Sequence, residues 1–492
     1  MKRTEQSDAG VMRAFRAAGQ GHVFRWWEEL SPDGRARLMA QLRGIDLESL
    51  AALASDVKAG RFNPAPRGSP EFPSYVRLPR TPEESAAREK ARSAGEALLR
   101  HGKVAALTVA GGQGTRLGFD APKGTYPIGP VSGKSLFRIH AERILATRRR
   151  YRASLRWYVM TSDATDQATK DYFERENYFH LPRQEVSFFR QRMMPVLDRD
   201  FRLVLAAKDA VLLSPNGHGG ALLALAECGM LDDMERWGVE EISYFQVDNA
   251  LVPAADPVFL GCHSLASAQM SGKAVWKREP EEAIGAFVGI GGRVVVMEYS
   301  DLTREQTRQR GGEGQLRFGL GSIAVHAIRV DFARRETGGG PSSAEARHVT
   351  HEGGFRLPFH LAEKSSPYLD EAGRLIQPQG KNVYKFETFI FDALRDAERT
   401  MILEVRREEQ FSPLKNATGK DSPETCRRDM SALYAAWLAR AGVHVPGAND
   451  GRPAFPIEIS PLYALDADEL ASKVPKNLAL TGPLYLGPEK RV

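Results

Sequence analysis

Three glycines fall within four residues at the end of an apolar run, in "LTVAGGQGTRLG" (Leu107 to Gly118), and an arginine follows two positions later. Gly111, Gly112 and Gly114 remove Cβ atoms where a chain turns sharply or where something must approach the backbone. Arg116 carries a planar, permanently charged fork that matches phosphate oxygens. A glycine-rich turn after a strand, with free N–H groups and a nearby cation, is the physical form of a nucleotide phosphate site. Lys123 lies seven residues further on, in "APKGTYPIGPVSGKSLF", where flanking prolines stiffen the loop. A second strand end, "YFQVDNALV", closes in Asp248 and Asn249. A carboxylate there could hold Mg²⁺ bridging phosphate oxygens. Each feature also has a plain structural reading: a turn without ligand, a solvated lysine, and a capping or turn aspartate.

Two common templates do not fit the glycine turn. A dinucleotide fingerprint counted from Gly112 requires glycine at position 117, which is Leu117, and a Walker A loop requires GxxxxGK[ST]. A nicotinamide dehydrogenase is therefore disfavoured, while the phosphate cradle itself stands.

The elements that must position these groups alternate along the chain. "VAALTV" precedes the glycine turn as a strand. "LRWYVMTS", "EVSFFRQ" and "EISYFQV" read as further strands, with "DQATKDYFEREN" and "ALLALAECGMLDDMERWG" as helices between them. That order predicts an α/β fold with a doubly wound, mostly parallel, Rossmann-like sheet covered on both faces. Gly291-Gly292 marks a β-hairpin between "AFVGI" and "RVVVMEY". Thr81, Pro82 and Glu84 form a capping box that opens a helix, and Gly102 is placed to stop it.

The chain divides into three expected segments: a helical N-terminal region and proline-rich linker (1–95), a central α/β domain that carries the glycine turn (96–395) and a small C-terminal β-rich domain (396–492), the last containing a helix around "PETCRRDMSALYAAWLARAG". The stretch "ETGGGPSSAEAR" (Glu336 to Arg347) reads as a mobile loop by composition. Trp26 and Trp27 are expected to pack in the helical preamble.

Composition narrows the partners. With 68 Lys and Arg against 62 Asp and Glu over 492 residues, the net charge is +6. That excess suits small anionic substrates and is too diffuse to indicate nucleic acid. "TRRRYR" at 147–152 complements a helix dipole. No apolar run reaches the ~18 residues of a membrane span, and "MKRTEQSDAG" contains no apolar signal region. The three cysteines, Cys228, Cys262 and Cys426, make no CxxC pair and point to a reducing cytoplasm. His348, His351 and Glu352 in "RHVTHE" resemble a metal pair without a third ligand, which argues against zinc.

The segments "AGGQGTRLGFDAPKG", "PNGHGGALLAL", "VDNALVPAADPVFLG", "MEYS", "KNVYKFETFIFD" and "EEQFSPLKNA" occur in this order. In combination they resemble the eukaryotic-type UDP-sugar pyrophosphorylases, most closely those specific for UDP-N-acetylglucosamine, over roughly residues 80 to 430. The resemblance implies a Mg²⁺-dependent uridylyltransferase that joins UTP and a hexose 1-phosphate into a UDP-sugar and pyrophosphate. It assigns Val109, Ala110, Gly111 and Gly112 to the UTP cradle. Arg116 and Lys123 fall to its phosphates, Gln191 to the uracil edge, Gly217 to the nucleoside, and Asp248 to the metal or phosphate region. Gly285, Glu298 and Tyr299 would line the sugar site, with Phe389 and Phe391 shaping the pocket for its 2-substituent. Lys385 and Lys415 would contact phosphates from the far side. His218 and Ser322 depart from the N-acetylglucosamine pattern, which carries asparagine at both places. UDP-glucose, several UDP-sugars, or binding without catalysis are the alternatives. A non-catalytic binder would be expected to lose Arg116, Lys123 or Asp248, and all three are present.

Overall fold

The computed structural model describes residues 7–62, 68–298, 301–311, 314–338, 357–447, 452–475 and 477–488. The chain forms two compact units, each built from three stretches. One comprises Met1–Pro66, Gln191–Ala224 and Arg335–Ala393; the other comprises Arg67–Arg190, Leu225–Arg334 and Leu394–Val492.

The larger unit is organised by a nine-stranded sheet. Its strands are β1 (Val104–Val109), β2 (Arg156–Thr161), β3 (Val186–Arg190), β4 (Glu241–Gln246), β5 (Met270–Trp276), β6 (Ala286–Ile290), β7 (Arg293–Met297), β8 (Leu320–Arg329) and β9 (Thr400–Glu404). The order is β7-β6-β8-β4-β1-β2-β3, with β5 and β9 continuing from β8. Strands β3, β2, β1 and β4 are mutually parallel, and only β8 and β7 run against the rest. In β1 and β2 nearly every consecutive residue is buried. Successive side chains point to opposite faces, so both faces are covered, as the continuous apolar runs require. The order 3-2-1-4 reverses direction between β1 and β4. Open α/β sheets bind ligands beyond the carboxyl ends of strands at such a reversal.

Local signals agree with the sequence at several points. The helix Pro82–Arg100 starts from a complete Thr81–Glu84 capping box, and Gly102 behind it has φ +66°. The hairpin turns at Gly291 (φ +56°) and Gly292 (φ +77°), the left-handed pair such a turn needs. Arg152, at the end of helix Leu136–Tyr151, also closes in the left-handed region.

Three expectations change. The segment 221–238 is two helices, Gly220–Glu227 and Met230–Arg236, because Gly229 adopts φ +71° and breaks the run. The stretch expected to be a loop from Glu336 is still helical through Thr337, in the helix Val330–Thr337, and residues 339–356 lie outside the described residues. The boundary expected at 95 falls inside helix Pro82–Arg100, whereas that expected at 395 lies beside the passage from one unit to the other at Ala393 and Leu394. Helix Pro82–Arg100 belongs with the large sheet, and Thr400–Glu404 is itself one of its strands. Beyond that strand lie helix Pro423–Arg440 and a two-stranded parallel sheet, Ile457–Ile459 with Leu484–Leu486.

The smaller unit packs the helices Asp8–Ala17, Pro32–Gly44 and Leu47–Lys58 with a three-stranded sheet of His360–Lys364, Val383–Glu387 and Leu197–Asp198. Its core includes Val11, Phe15, Leu38, Leu42, Leu203 and Phe386, with Trp26 and Trp27 packed against it as expected.

One contact in the larger unit fixes a helix pair by glycine alone. A Cβ on Gly95 would lie 1.8 Å from the Pro257 carbonyl oxygen, and one on Gly261 would lie 1.7 Å from that of Ala91. Helix Pro82–Arg100 and helix Pro257–Leu265 therefore touch backbone to backbone. Gly95→Ala must push them apart, at a cost of about 2 kcal/mol or more. A thermal melt should show a clearly lowered Tm; an unchanged Tm would show that the helices tolerate separation.

Candidate active site

Val109, the last residue of β1, is paired in register with Gln246 of β4 and Met160 of β2. The glycine turn, Asp248 and Ser162 therefore leave the same edge of the sheet side by side. Ala110 N–H donates to the Met160 carbonyl at 2.8 Å. The Ser162 hydroxyl donates to the Gly111 carbonyl at 2.7 Å. Lys123 N–H donates to the Gly112 carbonyl at 3.0 Å, and Gly114 N–H to that of Ala121 at 2.9 Å. These bonds join the glycine turn and the Lys123 loop into one piece.

The glycines serve different ends. A Cβ on Gly114 would sit 2.8 Å from Phe119, and one on Gly124 only 2.2 Å from the Phe137 ring, so the protein's own packing requires both. Gly112 is exposed, and a Cβ there would meet nothing within 4 Å. Nothing in the packing demands glycine at 112, which leaves its backbone open to close approach by a ligand.

The Lys123 ammonium donates to Asp248 Oδ2 at 3.1 Å, and both side chains are largely buried. Asp248 lies in the turn that follows β4, as the turn alternative has it, and does not cap the next helix, which Asp256 caps. The Asp248 carbonyl accepts from Leu414 N–H at 2.9 Å. Asn249 accepts from Ser412 N–H at 3.1 Å through Oδ1 and donates to the Gln410 carbonyl at 2.8 Å through Nδ2. The "VDN" and "FSPLKN" segments are thus locked together, with Lys415 next in the chain. Helix Leu136–Tyr151 braces the loop from beneath. His140 Nε2 lies 3.0 Å from the Val247 carbonyl, and Arg143 donates to that of Ala250 at 2.7 Å. Burial, aided by the Arg143 charge, pushes the His140 pKa down to about 3, so the ring is neutral. Arg116 stands exposed in the short turn Thr115–Leu117.

Among the described residues no three His, Cys, Asp or Glu side chains gather at a metal position. One carboxylate suits Mg²⁺ nonetheless, since that ion keeps waters and takes one or two carboxylates beside substrate phosphates.

A second group in the same unit holds sugar-site candidates. Ser322 N–H donates to the Gly285 carbonyl at 2.8 Å. A Cβ on Gly285 would come 2.6 Å from Val296 and 3.3 Å from Glu298 Oε1. Tyr299 lies outside the described residues, as do His348, His351 and Glu352. Lys277 was not singled out from sequence. It is buried, and burial holds its ammonium below the usual lysine range against the opposing charges of Glu282 and Glu298.

The remaining candidates belong to the smaller unit. Gly217 (φ +81°) has no room for a Cβ, which would lie 2.4 Å from the Thr388 carbonyl oxygen. Thr388 N–H donates to the Asn216 carbonyl at 2.7 Å, and Gly219 N–H to that of Thr388 at 2.9 Å. The His218 ring stacks on Phe389 at 5.3 Å and lies 5.7 Å from Phe391. Ile390 N–H donates to His218 Nδ1 at 3.2 Å, which places a neutral ring's proton on Nε2. His360, also not anticipated, lies 4.5 Å from the Phe389 ring and 2.7 Å from Asp392. Gln191 is buried; Lys385 is half-buried, and burial lowers its pKa against the charge of Glu387.

Residues 72–315 match the family model of UTP–glucose-1-phosphate uridylyltransferase. The chain is 37% identical over 492 residues to the human UDP-N-acetylhexosamine pyrophosphorylase-like protein 1, covering 94% of each. It is 34% identical to the UDP-N-acetylglucosamine pyrophosphorylase of Saccharomyces cerevisiae, covering 88% of this chain and 91% of that one. The crystal structure of the UDP-N-acetylglucosamine pyrophosphorylase of Trypanosoma brucei has the same fold, with a TM-score of 0.79, 24% identity and 99% of each chain covered.

The buried histidine under the Asp248 loop predicts a pH effect. An unfolded histidine titrates near 6.5, while His140 in the fold titrates near 3, so only the unfolded chain gains a proton in between. Stability is held above pH 6.5 and lost as pH falls toward 3, by about 2 kcal/mol at pH 5 from this group. Urea unfolding at pH 7 and pH 5 should show a loss that shrinks by this amount in His140→Gln. An equal loss in both proteins would remove His140 as its source.

Proposed function

The chain belongs to the UDP-sugar pyrophosphorylase family, and on that premise we propose that it forms UDP-N-acetylglucosamine and pyrophosphate from UTP and N-acetylglucosamine 1-phosphate. The observation that carries this reading is the Lys123–Asp248 pair beside an open glycine cradle, at the point where the strand order reverses.

The chemistry needs no catalytic base. A sugar 1-phosphate oxygen attacks the α-phosphorus of UTP, and pyrophosphate leaves. The attacking phosphate is already largely ionised at pH 7, its second pKa being about 6. The work is to bring two polyanions together, align them, and stabilise charge developing on the leaving group. In this reading Val109 to Gly112 offer backbone N–H groups to the nucleotide, while Arg116 and Lys123 hold its phosphates. Gln191 and Gly217 meet the nucleoside. Lys385 and Lys415 neutralise phosphate oxygens. Gly285, Glu298, Tyr299 and Ser322 receive the sugar, with His218, Phe389 and Phe391 near its 2-substituent. Asp248 would be the residue to hold Mg²⁺, which would supply further charge neutralisation. No helix among the described residues is long and apolar enough to cross a membrane. The unpaired cysteines favour a cytoplasmic setting.

Histidine at 218 and serine at 322 change shape and hydrogen-bonding capacity where the related pattern carries asparagine. The test is pyrophosphate release with UTP and a panel of sugar 1-phosphates. The wild type should turn over N-acetylglucosamine 1-phosphate and, measurably, glucose 1-phosphate. Ser322→Asn should move the kcat/KM ratio toward the N-acetylated sugar by ~1–2 kcal/mol if one hydrogen bond is gained. No release with any sugar 1-phosphate would end the enzymatic reading. Strict exclusion of glucose 1-phosphate, with a ratio unmoved by the substitution, would show that Ser322 does not set specificity.

A further inference from the structure

Lys273 lies in β5 and is 1% exposed, and the reaction outlined above gives it no task. Its ammonium donates to Asp256 Oδ2 and to Gln410 Oε1, both at 2.6 Å, and lies 5.1 Å from the centre of the Phe259 ring. Taking an ammonium out of water is costly, and apolar side chains of similar volume often serve stability as well as a buried ion pair does. Stability is therefore a poor account of this lysine. What a buried, hydrogen-bonded cation does supply is fixed geometry between the groups it joins.

Those groups belong to different segments of the larger unit. Asp256 opens helix Pro257–Leu265, where its Oδ1 accepts from Val258 N–H at 2.9 Å and from Phe259 N–H at 3.4 Å. Gln410 ends the short helix Arg407–Gln410 beyond β9, and its main-chain carbonyl accepts from Asn249 Nδ2 at 2.8 Å. Asn249 Oδ1 accepts from Ser412 N–H at 3.1 Å, and the Asp248 carbonyl accepts from Leu414 N–H at 2.9 Å. One cation thus anchors the stretch from Asp248 to Asp256 at both ends: at Asp256 directly, and at Asn249 by way of Gln410. The same bonds seat residues 410–414, and Lys415 is the next residue in the chain.

We infer that Lys273 is a positioning residue for nucleotidyl transfer: sealed below the site, it sets the Asp248 loop and the Lys415 segment in register with each other. The inference rests on the uridylyltransferase reading. Lys273 touches no substrate, so its loss should leave the glycine cradle able to take UTP and spoil the alignment that the reaction needs. The damage should therefore fall on kcat more than on KM.

The test uses two variants of the full-length protein, checked by circular dichroism and thermal melting. Gln410→Leu removes the amide acceptor and leaves the Lys273–Asp256 pair in place. Lys273→Met combined with Asp256→Asn removes both charges at once and retains a helix-capping side chain. Pyrophosphate release should show kcat lowered about tenfold or more in both, with KM for UTP changed less than about threefold. The double variant should do so with a Tm equal to or above that of the wild type, which separates positioning from stability. Hydrogen exchange needs no turnover. The amides of Leu251, Ser412 and Leu414 should exchange faster in Gln410→Leu, and those of β1 at the wild-type rate. A wild type that releases no pyrophosphate would end the uridylyltransferase reading, and with it the role in transfer; the exchange data would still show whether Lys273 holds the two segments. An active wild type with kcat unchanged in Gln410→Leu, or exchange at the three amides unchanged, would overturn the inference and leave Lys273 as packing alone.

Discussion

A buried carboxylate must find a cation, and in this fold Asp248 finds Lys123. That requirement organises much of the larger unit. Strands β1 and β4 are parallel neighbours in register, so their carboxyl ends deliver the glycine turn and Asp248 to the same place. The lysine reaches Asp248 only because its loop is stitched to Gly112 and seated by Gly124 against Phe137. Asp248 stays in place because His140 and Arg143 hold the carbonyls on either side of it and Leu414 takes its own. In the proposed function, a site for polyanions thus begins as a neutral pair with its cation already oriented. Preorganised charge of this kind needs no rearrangement when the reaction calls on it.

The pattern of glycines separates what the fold needs from what a ligand needs. Gly95, Gly114, Gly124, Gly217 and Gly261 are forced by close neighbours within the protein. Gly112 is not, and its backbone is the part of the turn left open. The aromatic cluster of His218, Phe389, Phe391 and His360 is likewise built from ring stacking and main-chain bonds. Substitution of His218 would therefore disturb the placement of Phe389 as well as remove an imidazole, which complicates any single-residue account of sugar choice.

Sequence revealed what is local. The capping box at Thr81–Glu84, the hairpin at Gly291-Gly292 and the strand before the glycine turn each follow from spacing and residue type, and all are present. The break at Gly229 was hidden, because glycine within a helical pattern is often tolerated and only its left-handed conformation ends the helix. Interleaving of the two units was hidden for a different reason. Strand Thr400–Glu404 reveals its membership of the central sheet only through its partner Met270–Trp276, about 130 residues away. Among candidate site residues, the placement of those on glycine-rich or strand-end motifs was legible. Ser162 and Lys277 were not, since a lone serine after a strand or a lone lysine in a polar stretch gives no local signal. Their significance comes from a carbonyl and from carboxylates placed nearby by the fold.

The central claim is that Lys123 and Asp248 act as one unit. It is tested most directly by a double-mutant cycle on kcat/KM for UTP, using Lys123→Ala, Asp248→Asn and the pair. Each single change should cost on the order of a hundredfold, as loss of a charge contact to the reacting groups does. If the residues depend on each other, the double variant should fall little below the worse single one, because the second change removes a partner already without its counterpart. Losses that multiply independently, to on the order of ten-thousandfold, would contradict the account and show two separate contributions that merely lie 3.1 Å apart.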